Sequence, residues 1–118
     1  MNSLAPGTFV VVDGRAVRTD SEGYLLDLND WCEDFARALA RQEGLALTVA
    51  HWELIHFLRQ HWQAHGVQAQ VRVMIRHFSA AWGPLLGSNH HLHALLPKGG
   101  PQKQGNRLAG LLRTKGEH

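Results

Sequence analysis

The chain has 118 residues, with 12 Lys and Arg against 10 Asp and Glu, nine His, a formal charge of +2 and a single cysteine. That length suits one domain with one modest core. No apolar run approaches the ~18 residues of a membrane-spanning helix, and no basic segment precedes an apolar stretch at the amino terminus as a signal peptide would require; a cytoplasmic protein with no membrane association is expected. A lone Cys32 excludes an intrachain disulfide or a cysteine-based zinc cage, and no cofactor is implied.

In chain order, TFVVVDGRAVRT places β-branched residues on both sides of Asp13-Gly14, a dipeptide suited to the positive φ values of a two-residue hairpin turn. Ser21-Glu22-Gly23 turns the chain, and a short extended piece at Tyr24 to Leu28 leads to a helix start at Asn29 or Asp30. There a side-chain oxygen can accept from free amides, while Glu33 and Asp34 favour the positive end of the dipole. Trp31, Phe35, Ala38 and Leu39 recur at helical spacing and end near Gly44. A second helix starts from Thr48 as its cap, with Trp52, Ile55, Leu58 and Trp62 on one stripe, and stops at Gly66. Gln70 to Trp82 supplies a third, turning Val71, Met74, Ile75 and Phe78 inward and carrying Arg72 and Arg76 four apart on another face. Asn89 to Leu95 is a short fourth helix stopped before Pro97. The fold class is mostly α (α+β): a small amino-terminal hairpin and four to five helices, with a helix-turn-helix-like pair and a flexible carboxyl-terminal arm. Residues 1–97 are the body and 98–118 the arm, hinged at the glycine-rich Gly99 to Gly105.

Charge divides the same way. Residues 1–96 hold seven Arg against nine Asp and Glu, whereas Lys98, Lys103, Arg107, Arg113 and Lys115 face only Glu117 beyond them. A basic arm on a mildly acidic body suits an acidic partner surface or nucleic-acid phosphate. The second and third helices could form a DNA reader with Arg72 and Arg76 on the recognition helix, but the acidic body favours weak, sequence-independent nucleic-acid binding. His61 and His65 lie one turn apart, and His90, His91 and His93 are clustered; without acidic companions they read as surface or packing residues, so no metal ligands are assigned. Trp52, Trp62 and Trp82 read as core. Cys32 shares its turn with Asp30, Glu33 and Asp34, which oppose a thiolate, so no redox role is assigned to it.

GYLLDLNDW, Leu47-Thr48 with His51-Trp52, VRVMIRHF, the Leu-x-x-Leu-x-Pro-Lys-Gly block ending at Gly99, and Ala109-Gly110-Leu111 together resemble the DsrC/TusE family over nearly the whole chain. The family arm runs roughly Leu-Phe-Pro-x-Gly-Pro-x-Lys-Gln-x-Cys-x-x-Ala-Gly-Leu-Pro-Lys-Pro-Thr-x-Cys-x. Asn106 falls where the DsrC branch has its inner cysteine, and Glu117 where the family has its penultimate, persulfide-carrying one. Leu112, Arg113 and Thr114 replace Pro-Lys-Pro, and Gly100 looks like a one-residue insertion. The resemblance implies a sulfur-relay protein rather than a stand-alone enzyme. In the family, DsrC receives sulfur from a DsrEFH-type complex and presents it to dissimilatory sulfite reductase, and TusE relays it from a TusBCD complex towards tRNA wobble-uridine thiolation. With no cysteine at either arm position, this chain is expected to keep docking surfaces, at Lys98, Lys103, Arg107, Arg113 and Lys115, without carrying sulfur, and so to act as a binding or regulatory partner with no catalytic residue. Participation in sulfur transfer, and transcriptional regulation through DNA, are the alternatives.

Overall fold

The computed structural model describes residues 9–113. Strands β1 (Phe9–Val12) and β2 (Arg15–Arg18) pair antiparallel, Phe9 opposite Arg18 and Val12 opposite Arg15. Asp13 at φ 50° and Gly14 at φ 78° give both turn residues the positive φ that matches the twist of a tight hairpin. Alternation then sends Val10, Val12 and Val17 into the core. Asp20 rounds the next corner, its Oδ1 accepting from the amides of Glu22 and Tyr24, and Leu25 bridges Thr19 in antiparallel sense.

Five helices follow: α1 (Glu33–Gln42), α2 (Val49–His65), α3 (Val71–Trp82), α4 (Asn89–Leu95) and α5 (Gly100–Leu108). The first begins later than the sequence suggests. Leu28–Asp30 forms a separate 3-10 turn capped by Asp27, and Trp31 and Cys32 are extended before α1. Thr48 caps α2 as expected, in an unusual reciprocal form. Its hydroxyl accepts from the His51 amide at 3.4 Å, while the Thr48 amide donates to His51 Nδ1 at 3.0 Å. With Nδ1 accepting, the proton sits on Nε2 and is donated to the Leu95 carbonyl at 2.7 Å, so a buried histidine ties α2 to the end of α4.

One core joins all these elements, built on Phe35 and Leu39 of α1, Leu54, Ile55 and Leu58 of α2, Met74 and Phe78 of α3, and Leu92, Leu96, Leu108 and Leu111. Trp52, Trp62 and Trp82, expected inside, are instead partly buried at its margin. There a ring keeps its polar edge in reach of a partner, as when Trp82 Nε1 donates to Glu53 Oε1 at 2.8 Å.

The largest correction concerns the arm. Gly99 to Gly105, read as a hinge, is the entry and first half of α5. Pro101 occupies its first turn, where the missing N–H costs no hydrogen bond. Gly105 lets the helix press onto α2 and α4: a Cβ there would lie 2.9 Å from Leu58 Cδ1 and 3.6 Å from Leu96 Cδ1. A segment poor in apolar residues becomes core because its polar side chains find partners inside.

Candidate functional site

The carboxyl-terminal segment is where the sequence places the chemistry, and α5 holds its first half rigidly. Glu43, at the C-cap of α1, is the anchor. Its carboxylate receives Arg107 Nε and NH2, each at 3.0 Å, and Gln104 Nε2 at 2.8 Å. Gln104 Oε1 accepts from the Lys98 amide, and Arg107 also donates to the Lys98 carbonyl at 2.7 Å. Burial works against the Arg107 charge, but the Glu43 hydrogen bonds and its negative charge outweigh it, so the guanidinium is held above its usual pKa. Arg107 is only 8% exposed. Expected among the docking cations, it is an interior residue, because a fork-shaped cation and a carboxylate that meet inside the fold satisfy each other.

A latch follows α5. Trp31 Nε1 donates to the Leu108 carbonyl and Arg59 NH1 to the Ala109 carbonyl, both at 2.8 Å. The Arg59 guanidinium also lies 3.8 Å from the centre of the Trp31 ring, a cation–π contact, and burial pushes its pKa down. Gly110 passes so close to Trp31 that a Cβ would fall 2.2 Å from the indole. Its φ of +70° is one that L side chains seldom adopt. Leu111 closes the segment in the core, its amide donating to the Asn106 carbonyl at 2.9 Å.

Beyond Leu111 the character changes. Leu112 is 50% exposed, its carbonyl accepting from Gln68 Nε2 at 2.9 Å. Arg113 hydrogen-bonds Glu22, lies 3.8 Å from Asp20 and sits 5.0 Å from the Tyr24 ring centre. Lys115 and Glu117 lie outside the described residues. Lys98 and Lys103 are exposed at either side of the start of α5. Asn106 is fully buried within α5.

The remaining candidates are scattered. Cys32 is exposed at the N-cap of α1, directly after Trp31. Arg72 and Arg76 are exposed on α3. The His61 and His65 rings lie 4.5 Å apart, and among the described residues no three His, Cys, Asp or Glu side chains are grouped to hold a metal ion. No described helix is long and apolar enough to cross a membrane. Sequence reasoning missed Glu43, Trp31 and Arg59 as the residues that seat the arm. Glu43 alone carried a signal: a carboxylate at a helix C-terminus opposes the dipole and needs a tertiary partner to justify it.

Comparison with known proteins places this arrangement among relatives. The family described as "DsrC like protein" matches residues 11–116. Sulfurtransferase TusE of Pectobacterium atrosepticum is 39% identical over 99 residues, covering 84% of this chain and 90% of that protein. The solution structure of DsrC from Allochromatium vinosum superposes with a TM-score of 0.80 at 35% identity, covering 93% of this chain and 97% of the other. The oxidized γ-subunit of the dissimilatory sulfite reductase (DsrC) from Archaeoglobus fulgidus gives 0.82 at 31% identity, covering 93% and 99%.

Proposed function

The chain belongs to the DsrC-like family, and from that premise we propose that it is a sulfur-relay protein that docks onto the partners of a sulfur carrier without carrying sulfur itself. A carrier must present a thiolate that attacks a sulfane sulfur and holds it as a persulfide. One observation carries the reading: at the inner-cysteine position of the arm this protein has Asn106, sealed inside α5, in a chain whose only thiol is Cys32. Glu117 at the family's carrier position can hold no sulfur either. The acceptor chemistry is gone while the scaffold that seats the arm is kept.

Docking falls to the exposed cations Lys98 and Lys103, to Arg113 and to Lys115, which suit acidic surfaces on DsrEFH- or TusBCD-type complexes or on dissimilatory sulfite reductase. The protein then competes for, or reports on, those partners. A second reading, transfer through Cys32, is favoured by one feature: this exposed thiol follows Trp31, against which Gly110 of the arm is packed. Against it stands its place: Cys32 is the N-cap of α1, away from the arm on which the family's carrier thiol lies.

Intact mass after incubation with a cysteine desulfurase and a donor complex separates the two. The expected result is no added sulfur, a shift of ~32 Da per persulfide being absent, together with donor binding that Cys32→Ser leaves unchanged. A stoichiometric adduct that disappears in Cys32→Ser would establish the second reading instead.

A further inference from the structure

Residues 54–116 contain not one Asp or Glu. This half of the chain builds a groove of about 590 Å³ along the seam of α2 and α3, lined by Phe57, His61, His65, Val73, Arg76, His77, Ala80 and Ala81. Phe57 stacks on His77 at 4.3 Å, and beyond it His61 lies 4.5 Å from His65, so ring faces run along the seam. Val73, Ala80 and Ala81 supply aliphatic wall. The groups that can carry charge are His61 and His65 from α2, and Arg76 and His77 from α3; the loop after α2 adds only the Val67 carbonyl, 3.2 Å from His61 Nδ1. Among the described residues no carboxylate lines the groove; Glu53 of α2 lies outside the lining, where it accepts from Trp82 Nε1 of α3.

We propose that this groove is a docking site for an acidic amphipathic helix of a partner protein, whose apolar stripe fills the seam and whose flanking carboxylates meet Arg76 and the imidazoles. An apolar floor between two helices accepts the apolar stripe of a third, and a rim that carries Arg76 favours carboxylates. A polyanion fits less well. Among the described residues Arg76 is the one permanent cation of the lining, whereas affinity for nucleic acid grows with the number of phosphates neutralised and anionic lipid calls for a cluster of basic residues. This surface is distinct from the arm, and the proposal does not depend on the sulfur-relay reading.

The test is an NMR titration of the isotope-labelled protein with a synthetic helical peptide that carries a leucine stripe flanked by glutamates. Controls are the same peptide with lysines for glutamates, a single-stranded oligonucleotide, and vesicles containing phosphatidylserine. Shifts confined to α2 and α3 around His61, His77 and Ala80 are expected. Arg76→Glu and Ala80→Glu, both at exposed positions, should each weaken binding by about tenfold while leaving the melting temperature in place. The proposal is overturned by shifts centred on Lys98, Lys103 or Arg113, or by equal binding of the lysine peptide. Tighter binding of the oligonucleotide or vesicles, or groove shifts that grow with protein concentration alone, overturns it as well.

Discussion

Gly100 to Leu111 and the two residues after it sit on the same basic segment and are held in opposite ways. In the first stretch Gln104, Asn106, Arg107, Leu108 and Leu111 are buried; Gln104 and Arg107 donate to Glu43, while Trp31 and Arg59 donate to the Leu108 and Ala109 carbonyls. In the second, Leu112 and Arg113 are exposed and meet the body through Gln68 and an exposed Glu22. Positive charge therefore means two things here. At Arg107 it is a structural ion of the interior; at Lys98, Lys103 and Arg113 it lies at the surface. The difference lies in desolvation: a cation taken out of water stays only where an anion and further acceptors replace its hydration.

Breaking the buried half should cost most. Glu43→Ala leaves Arg107 charged and without its carboxylate, and should lower unfolding free energy by about 3–5 kcal/mol in urea titration. A loss below about 1 kcal/mol, the range of surface pairs, would mean that Arg107 escapes to solvent and that α5 is not fixed by this pair. Gly110→Ala is next. A left-handed φ costs an L residue about 1–2 kcal/mol, and the added methyl must displace Trp31, so a total of about 2–4 kcal/mol is expected with overpacking included. Near-ultraviolet circular dichroism of the indole should change with it, and an unaltered spectrum would remove the latch.

Arg113→Ala sharpens the contrast from the other side. Its ion pairs are exposed, at 39% for Arg113 and 59% for Glu22, so stability should fall by no more than about 0.2–1 kcal/mol, less at high salt. Lys98→Ala with Lys103→Ala should leave the melting temperature within error and weaken binding to an acidic partner, with a flatter salt dependence. Loss of folding in that double variant would place these lysines with Arg107 rather than with the surface.

The hairpin, the caps at Thr48 and Gly66, and the span of α4 were legible because local rules decide them: β-branched pairs around Asp-Gly, a hydroxyl before an apolar stripe, a proline beyond a helix. The arm was not. Its glycines and single proline signal a loop by composition, and α5 exists because tertiary partners override that weak preference. Pro101 was a start signal hidden in the same letters. The buried role of Arg107 depended on Glu43, 64 residues away, and no periodicity reaches across such a gap. Trp31, read as helical, serves the arm instead, which only the fold could reveal. Asn106 was located by resemblance, its burial by structure.

The central claim, docking without carriage, is tested most directly by radiolabelled sulfur flow through a reconstituted relay of desulfurase, donor complex and a cysteine-bearing carrier. Added to it, this protein should remain unlabelled and reduce transfer to the carrier in proportion to its concentration, as a competitor for the same docking surface does. Label that appears on this protein and then passes to the carrier or its acceptor would contradict the account.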